Sequence, residues 1–269
     1  MKSLKNKVVV ITGAGSGIGQ ALALQVARMG GQLAINDWNQ KALLATKEQI
    51  LQEGGSVSLH RAFDVSNRAL VYQFAEEVAS TCGQVDVVIN NAGIALPMQS
   101  IEATSYEDYE RVININLWGV IYGSKAFIPI LKKRPEAAVV NVSSIFGAIG
   151  YYHQGPYVTT KFAVRGFTET LRQELSRSKI QVSVVMPGGI NTNIVRNIDL
   201  PDSEEKKRLV DGFAKQAKTS PEKAAQQIIT GIQKKKRRIL IGADARLIDK
   251  IVRLMPTRYD RLILRRWSI

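Results

Sequence analysis

A tyrosine and a lysine four residues apart, Tyr157 and Lys161, are the side chains of this sequence best suited to exchange a proton with a bound molecule. Residues at i and i+4 share one face of a helix, so the phenol and the ammonium would lie together. A phenol ordinarily has a pKa of about 10, and an adjacent ammonium favours its ionised form. We therefore expect Lys161 to lower the pKa of Tyr157. Because this spacing also occurs by chance in many helices, the pair needs support from the rest of the chain.

A glycine-rich loop near the start of the chain gives that support. The β-branched run Val8–Thr12 leads into Gly13, Gly17 and Gly19, and a helical pattern follows. Glycines at such a turn let the backbone approach a pyrophosphate, and the helix N-terminus then faces the anion. The strict G-x-G-x-x-G pattern and the P-loop pattern both fail, whereas T-G-x-x-x-G-x-G fits. With Ser144, which precedes Tyr157 by 13 residues, this loop indicates hydride-transfer chemistry; a glycine turn without a ligand is the alternative.

An aspartate at the end of the second predicted strand indicates which dinucleotide is bound. The carboxylate of Asp37 can accept hydrogen bonds from ribose hydroxyls and would repel a 2′-phosphate. Neither the following Trp38 nor Ser16 in the glycine loop supplies a cation for that phosphate. We predict NAD rather than NADP, with Asp37 as a simple turn residue as the alternative.

Short β-branched runs alternate with longer amphipathic stretches along most of the chain. This alternation predicts a single-domain, doubly wound α/β Rossmann fold whose seven-stranded parallel sheet is covered by helices on both faces. The predicted strands are Val8–Thr12, Gln32–Asn36, Val57–Ala62, Asp86–Asn90, Ala138–Val142, Gln181–Met186 and Arg238–Ile241. The predicted helices cover 18–29, 40–53, 67–81, 105–132, 157–177 and 221–234. Residues 188–220 interrupt this alternation of strands and helices and are predicted to form a substrate lid.

Length, composition and charge limit the number of domains, the kinds of site and the compartment that we expect. A chain of 269 residues suits one α/β domain, assigned to residues 1–242. The single cysteine, Cys82, excludes an intrachain disulfide, and with two distant histidines we expect no metal site. No secretory signal pattern precedes the first strand, so the expected compartment is the cytoplasm. The net charge is +14, of which residues 232–269, with twelve Lys or Arg and three Asp, contribute +9.

Taken with Asn90–Gly93 and Pro187–Gly188, these motifs resemble those of the short-chain dehydrogenase/reductase family over about residues 5–242. The resemblance implies Tyr157 as general acid/base and Lys161 as the residue that lowers its pKa and holds the nicotinamide ribose. It implies Ser144 as the residue that orients the substrate oxygen, and Asn116 as the anchor of a water that links Lys161 to solvent. Ser144 as a strand end and Asn116 as a buried helix residue are the structural alternatives.

The same resemblance implies the cofactor contacts, which run from the adenine end of the cleft to the nicotinamide end. They are Gly13, Ser16, Gly17, Ile18, Gly19, Asp37, Asp64, Val65, Asn91, Ala92, Gly93, Tyr157, Lys161, Pro187, Gly188, Ile190 and Thr192. In this family the cofactor performs the redox step and the protein positions it. The family also forms dimers or tetramers, often through helices that correspond to 105–132 and 157–177. An NAD-binding sensor or scaffold that catalyses no reaction is the competing function.

The expected substrate pocket is lined by residues 94–99, 145–156 and the lid. It includes Ile94, Leu96, Met98, Ile145, Phe146, Tyr151, Tyr152 and His153. Apolar and aromatic walls favour a neutral, lipophilic alcohol or ketone. His153 is either a substrate contact or a hydrogen-bonded loop residue.

Residues 243–269 form a basic extension in which apolar residues recur at helical spacing. Three hypotheses fit this pattern. The helices could pack on the body beside the substrate cleft, or they could attach to an anionic membrane surface, as basic amphipathic helices with Trp and Leu do. Nucleic-acid binding rests on charge alone, since no recognition motif is present, and is the least favoured.

Overall fold

A computed structural model of the chain describes residues 1–192, 194 and 203–266. Within them, seven parallel strands form one sheet in the order β3-β2-β1-β4-β5-β6-β7. The strands are β1 Val8–Thr12, β2 Gln32–Asp37, β3 Ser56–Ala62, β4 Val87–Asn90, β5 Ala137–Val142, β6 Ile180–Pro187 and β7 Arg238–Ile241. The α-helices are α1 Gly17–Arg28, α2 Gln40–Gln52, α3 Arg68–Cys82, α4 Tyr106–Ile113, α5 Gly119–Leu131, α6 Gly155–Glu174, α7 Glu204–Gln216, α8 Pro221–Gln233, α9 Ala243–Leu254 and α10 Tyr259–Arg266. The predicted fold is confirmed.

Both faces of the sheet are buried, which explains why most positions of the central strands are apolar. In β1, Val9 and Ile11 belong to a cluster that α1 and α8 complete, whereas Val8 and Val10 belong to one that α3 and α5 complete. All four side chains are fully buried. Successive side chains of a strand point to opposite faces, so a strand between two helical layers needs apolar residues throughout.

The order of connection reverses between β1 and β4, which are neighbours in the sheet. In open α/β sheets, ligands bind in the crevice at such a switch point, beyond the carboxyl ends of the strands. The glycine loop follows β1 at this edge, and the predicted cofactor and catalytic segments follow β4, β5 and β6. The topology therefore gathers residues that are far apart in sequence.

Two helical predictions needed correction. The stretch 105–132 is helical throughout, but a π-helical turn over Asn114–Trp118 separates α4 from α5. The segment 188–220, predicted as a lid and given no helix, contains the helix α7. Its polar, highly charged sequence hid that helix, because little of it can pack on a core. Residues 193 and 195–202 of the predicted lid lie outside the described residues.

The basic charge of the C-terminal region is divided between two edges of the molecule. Residues 234–237 precede β7 at the amino-terminal edge of the sheet, whereas α9 follows β7 at the carboxyl edge. At the amino-terminal edge lies a cavity of about 480 Å³ lined by Lys132, Lys133, Arg134, Arg177 and Lys179, among others. The predicted basic tail is therefore not one continuous surface.

Candidate active site

The glycine loop forms a tight cradle at the N-terminus of α1. Gly13 and Gly17 have φ values of +67° and +56°, a conformation that favours glycine. A side chain at Gly19 would overlap the carbonyl oxygen of Gly13 and the amide of Asn91. The loop is thus shaped for close backbone approach, as a pyrophosphate requires.

Thr12 joins the glycine loop to the segment after β4. Its hydroxyl accepts hydrogen bonds from the backbone N–H groups of Asn91 and Ala92, both at 3.1 Å. The Asn91 side chain donates in return to the carbonyls of Thr12 (2.9 Å) and Gly13 (3.2 Å). These bonds span the switch point and hold the two loops as one unit.

Asp37 lies at the end of β2 and faces the glycine loop. One carboxylate oxygen accepts a hydrogen bond from the Gly15 N–H at 2.8 Å, and the other accepts from the Asn39 N–H at 2.9 Å. The side chain is nearly buried, while Trp38 beside it is 72% exposed. A carboxylate oxygen has more than one acceptor site, so Asp37 keeps capacity for a ribose hydroxyl. The carboxylate and the glycine cradle together fit the adenosine and pyrophosphate portions of a dinucleotide.

Asp64 and Val65 follow β3 at the same edge of the sheet. The Asp64 carboxylate accepts a hydrogen bond from the Ser66 N–H at 2.9 Å. Val65 is buried and approaches the start of α5, where a side chain at Gly119 would meet it at 2.7 Å. Both residues therefore lie at the carboxyl edge of the sheet, and their contact with the adenine stays a prediction.

The π-helical turn presents Asn116 to the segment that lines the cleft. Its amide oxygen accepts from the Ile94 N–H at 2.8 Å, and its amide nitrogen donates to the Ile94 carbonyl at 2.9 Å and to the Thr160 hydroxyl at 3.4 Å. Gly93 lies between this amide and the Lys161 ammonium. Asn116 is fully buried. It fixes the segment at Ile94 through these hydrogen bonds and lies near Lys161.

Ser144, Tyr157 and Lys161 meet where β5 ends and α6 begins. The Ser144 oxygen accepts a hydrogen bond from the Phe146 N–H at 3.2 Å, while its neighbour Ser143 donates to the Lys161 carbonyl at 2.7 Å. The Lys161 nitrogen donates to the carbonyl of Val142 at 3.2 Å and lies 5.4 Å from the centroid of the Tyr157 ring. Ser143 is thus engaged in the core, and Ser144 is the serine at the phenol.

The pKa of Tyr157 differs from the sequence-based prediction. Burial raises the pKa of Tyr157 to about 12, and the hydrogen bond with Ser144 lowers it in partial compensation. Burial also lowers the pKa of Lys161 to about 8. The expected lowering of the tyrosine pKa by the lysine is therefore wrong for the protein alone. The ammonium lies over the ring face and is bonded to Val142, so the loss of solvation decides the direction.

Replacing the buried lysine is expected to stabilise the protein. Lys161→Met removes an ammonium whose pKa falls from 10.5 to about 8 on folding. That shift destabilises the folded wild type by about 3 kcal/mol. The variant also loses the hydrogen bond to Val142, so its net gain in the free energy of unfolding should be about 2 kcal/mol. The unfolded chain keeps its proton between these values, so wild-type stability rises with pH across that window. Urea unfolding should therefore show an advantage for the variant that is largest below pH ~8 and shrinks toward pH ~10.5. An advantage that does not depend on pH would contradict the assignment.

Aromatic rings extend from the tyrosine along the expected substrate wall. Phe146 packs edge-on against Tyr157, with 6.3 Å between the ring centroids, and stacks on Tyr151 with 4.9 Å between centroids. The ring centroids of Tyr151 and Tyr152 are 4.7 Å apart. His153 contacts Tyr152 edge-on at 5.3 Å, and its carbonyl accepts the Gln99 N–H at 3.0 Å.

Among the apolar residues predicted on this wall, Leu96 and Ile145 are buried, whereas Ile94 and Met98 are partly exposed. The rings from Phe146 to Tyr152 form an aromatic surface beside Tyr157, and its role as the substrate wall stays a prediction.

The segment after β6 is the one predicted to meet the nicotinamide. Pro187 ends the strand, and Gly188 donates its N–H to the Ile241 carbonyl at 2.9 Å. Ile190 is buried, and Thr192 lies within 3.2 Å of the position that a side chain at Gly17 would occupy. This segment therefore reaches back to the glycine loop.

Asp244 at the start of α9 is a site residue that sequence reasoning missed. Its carboxylate accepts the Gly189 N–H at 2.7 Å, across 55 residues of sequence. The paired glycines after β6 and an aspartate just after β7 were the only available signals, and neither indicates a contact without the sheet order.

Comparison with known proteins agrees with this geometry. A family profile described as short chain dehydrogenase matches residues 7–203. The oxidoreductase named SadH of Mycobacterium tuberculosis is 40% identical over 266 residues, covering 98% of this chain and 96% of that protein. The chain belongs to the short-chain dehydrogenase family.

Solved structures of short-chain dehydrogenases are also similar to this chain. One from Burkholderia phymatum in complex with NAD has a TM-score of 0.84 and 27% identity, covering 94% of this chain and 96% of its own. An alcohol dehydrogenase from the archaeon Thermococcus sibiricus, complexed with 5-hydroxy-NADP, has a TM-score of 0.74 and 29% identity, covering 87% and 95%. This short-chain dehydrogenase thus has relatives with either type of nicotinamide cofactor.

Proposed function

We propose that this protein is an NAD(H)-dependent dehydrogenase/reductase that interconverts a secondary alcohol and a ketone, or an alcohol and an aldehyde. The observation that carries the proposal is the convergence of Ser144, Tyr157 and Lys161 beside the glycine cradle. When bound, a nicotinamide cofactor supplies or accepts the hydride. The rest of the chemistry is proton transfer and positioning by the chain itself.

Tyr157 performs the proton transfer. In reduction its hydroxyl donates a proton to the substrate oxygen, and in oxidation its phenolate accepts the proton of the substrate hydroxyl. The Ser144 oxygen accepts the Phe146 N–H, and its own O–H, which bonds to the Tyr157 oxygen in the protein alone, turns to orient the substrate oxygen. Lys161 holds the cofactor ribose and keeps positive charge near the phenol. Asn116 holds the cleft wall through Ile94 and anchors a water between Lys161 and solvent.

We assign NAD rather than NADP on the basis of Asp37. Its carboxylate faces Gly15 at the position where the adenosine ribose would lie, and a 2′-phosphate there would meet a like charge. The two exposed or half-exposed neighbours, Trp38 and Ser16, offer no compensating cation.

We assign a neutral, lipophilic substrate on the basis of the aromatic wall. Phe146, Tyr151 and Tyr152 form a continuous surface that leads from Tyr157 toward solvent, and residues 188–220 remain the predicted lid. Such walls bury apolar ligand surface and contribute little to binding of a polyol.

An absorbance screen at the NADH band tests the function. Ketones, aldehydes, steroids, retinoids and small diols are offered with NADH or NAD. We expect turnover of apolar carbonyl compounds or alcohols. Turnover of polar polyols alone would refute the lipophilic assignment, and tight NADH binding without turnover of any alcohol or ketone would favour the sensor or scaffold.

Homodimers or homotetramers remain our prediction for the assembly. Large aromatic side chains are exposed along α4 to α6, namely Tyr106, Trp118 and Phe162. Burial of such residues against a second copy would remove apolar surface from water.

Peripheral contact with an anionic membrane is a second candidate property. None of the helices among the described residues is long and apolar enough to cross a bilayer. Leu254, at 82% exposure, and Leu262, at 44%, nevertheless face solvent on α9 and α10, beside the exposed cations Lys250 and Arg258. Apolar side chains among cations suit the surface of an anionic bilayer.

Flotation with phosphatidylglycerol vesicles tests this property. Salt-sensitive flotation should be lost in a Leu254→Ser, Leu262→Ser double variant. It should persist in a Lys234→Gln, Lys236→Gln variant, whose cations lie at the opposite edge of the sheet. Loss in the second variant alone would assign binding to the amino-terminal edge, and no flotation of the wild type would remove the candidate.

A further inference from the structure

We infer that Asp244, at the start of α9, is a positioning residue for the nicotinamide end of the cofactor cleft, and that Tyr259 on α10 supports the expected substrate wall. The inference rests on the proposed NAD(H)-dependent function, which it deepens.

The first contact is between α9 and the segment after β6. The Asp244 carboxylate accepts the Gly189 N–H at 2.7 Å. Any side chain at Gly188 would overlap that carboxylate, and so would one at Gly242. The carboxylate therefore occupies the space that two glycines leave free, and the backbone packs directly around it.

This contact extends to the glycine loop. Gly188 is already fixed by its bond to Ile241, and Asn191 donates its N–H to the Thr219 carbonyl at 3.0 Å. Between these two fixed points, Asp244 holds the intervening turn through Gly189. The turn ends at Thr192, which lies against Gly17 of the cradle. A displacement of Asp244 would therefore move the backbone that is expected to contact the pyrophosphate and the nicotinamide.

The second contact is between α10 and the substrate wall. The Tyr259 hydroxyl accepts the Gly150 N–H at 2.9 Å, and the tyrosine packs on a cluster that includes Ile145 and Ile149. Phe146, which touches Tyr157, packs on the same cluster. The extension thus holds the nicotinamide side through Asp244 and the substrate side through Tyr259.

A different aspartate on α9 provides the matched control. Asp249 is buried and pairs with Arg238 at 2.5 Å and Arg253 at 3.1 Å. The pair with Arg238 attaches α9 to β7, the pair with Arg253 lies within α9, and neither involves a loop of the cleft. Substitution of Asp249 should therefore weaken the attachment of the helix without a direct effect on the cofactor.

The experiment measures NADH affinity by fluorescence, together with hydrogen–deuterium exchange of the backbone amides. Asp244→Ala should raise the Kd for NADH about tenfold and speed exchange over 188–192, because one charged hydrogen-bond acceptor is lost from the turn. Asp244→Asn retains an oxygen acceptor and should recover most of the affinity. Asp249→Asn should lower the unfolding midpoint and leave the NADH Kd unchanged.

Tyr259→Phe provides the complementary result. It should speed exchange over 145–153 without changing the NADH Kd, since only the bond to Gly150 is lost. A role for Asp244 confined to stabilising the helix N-terminus would lower stability and leave the NADH Kd unchanged in Asp244→Ala, and that result would overturn the inference. Failure of the wild type to bind NADH would instead count against the proposed function.

Discussion

Tyr157→Phe is expected to lower kcat by about 10²–10⁴-fold, the range typical of a lost general acid/base. The phenylalanine ring keeps the edge-on contact with Phe146, so only the hydroxyl that exchanges the proton is removed. The Kd for NADH should change less than about threefold, because no dominant binding contact depends on that hydroxyl. Steady-state kinetics and fluorescence titration provide the two measurements.

A second tyrosine serves as the control for this substitution. Tyr122 stacks on Trp118 at 5.5 Å, on α5 and away from the cleft. Tyr122→Phe removes the same hydroxyl and should keep nearly full kcat. If Tyr157→Phe retains more than a tenth of wild-type kcat, another group transfers the proton.

The raised pKa of Tyr157 also predicts how the rate of alcohol oxidation depends on pH. Burial raises the pKa of Tyr157 to about 12, so the phenolate needed for alcohol oxidation is a minor species at neutral pH. Oxidation by the wild type should accelerate as the pH rises, whereas the protonated form that serves reduction is already abundant. The Tyr157→Phe protein should lack this rise.

Asp37→Asn is expected to reduce the preference for NADH over NADPH by about 10–100-fold in kcat/KM. The wild type should prefer NADH by about 10²–10³-fold, because a 2′-phosphate would lie against a carboxylate, and like charges in contact cost several kcal/mol. The asparagine keeps one oxygen, which can accept the Gly15 N–H, and it removes the charge, whereas the hydrogen bond from the Asn39 N–H is lost. The contact with the glycine loop should therefore persist while the repulsion disappears.

An exposed carboxylate elsewhere on the neighbouring helix controls for net charge. Glu48 lies on α2, outside the cleft. Glu48→Gln changes the total charge by the same amount as Asp37→Asn and should leave the cofactor ratio unchanged. A wild type that uses NADPH with the higher kcat/KM would refute the assignment of Asp37.

Much of the site could be anticipated from local patterns. Glycine spacing after β1 and the i, i+4 spacing of Tyr157 and Lys161 are short-range signals, because each depends on the geometry of one turn or one helix. The same holds for the strands, whose mainly apolar runs in the centre of the sheet reflect burial on both faces. All seven strands lie within two residues of their predicted bounds.

The helix α7 and the π-helical turn at Asn116 were not anticipated. Polar composition concealed the first. The second depends on the two hydrogen bonds that Asn116 makes with Ile94, which is 22 residues away. Neither feature has a local sequence pattern strong enough to predict it.

The sequence by itself determined the family of chemistry, the parallel sheet and the order of the motifs, since these follow from periodicity and spacing within single elements. Only the tertiary structure decided the direction of the Tyr157 pKa, because desolvation depends on what other elements pack around the phenol. It also divided the basic residues between two edges of the sheet and brought Asp244 to Gly189. Such contacts depend on strand order, which no local pattern encodes.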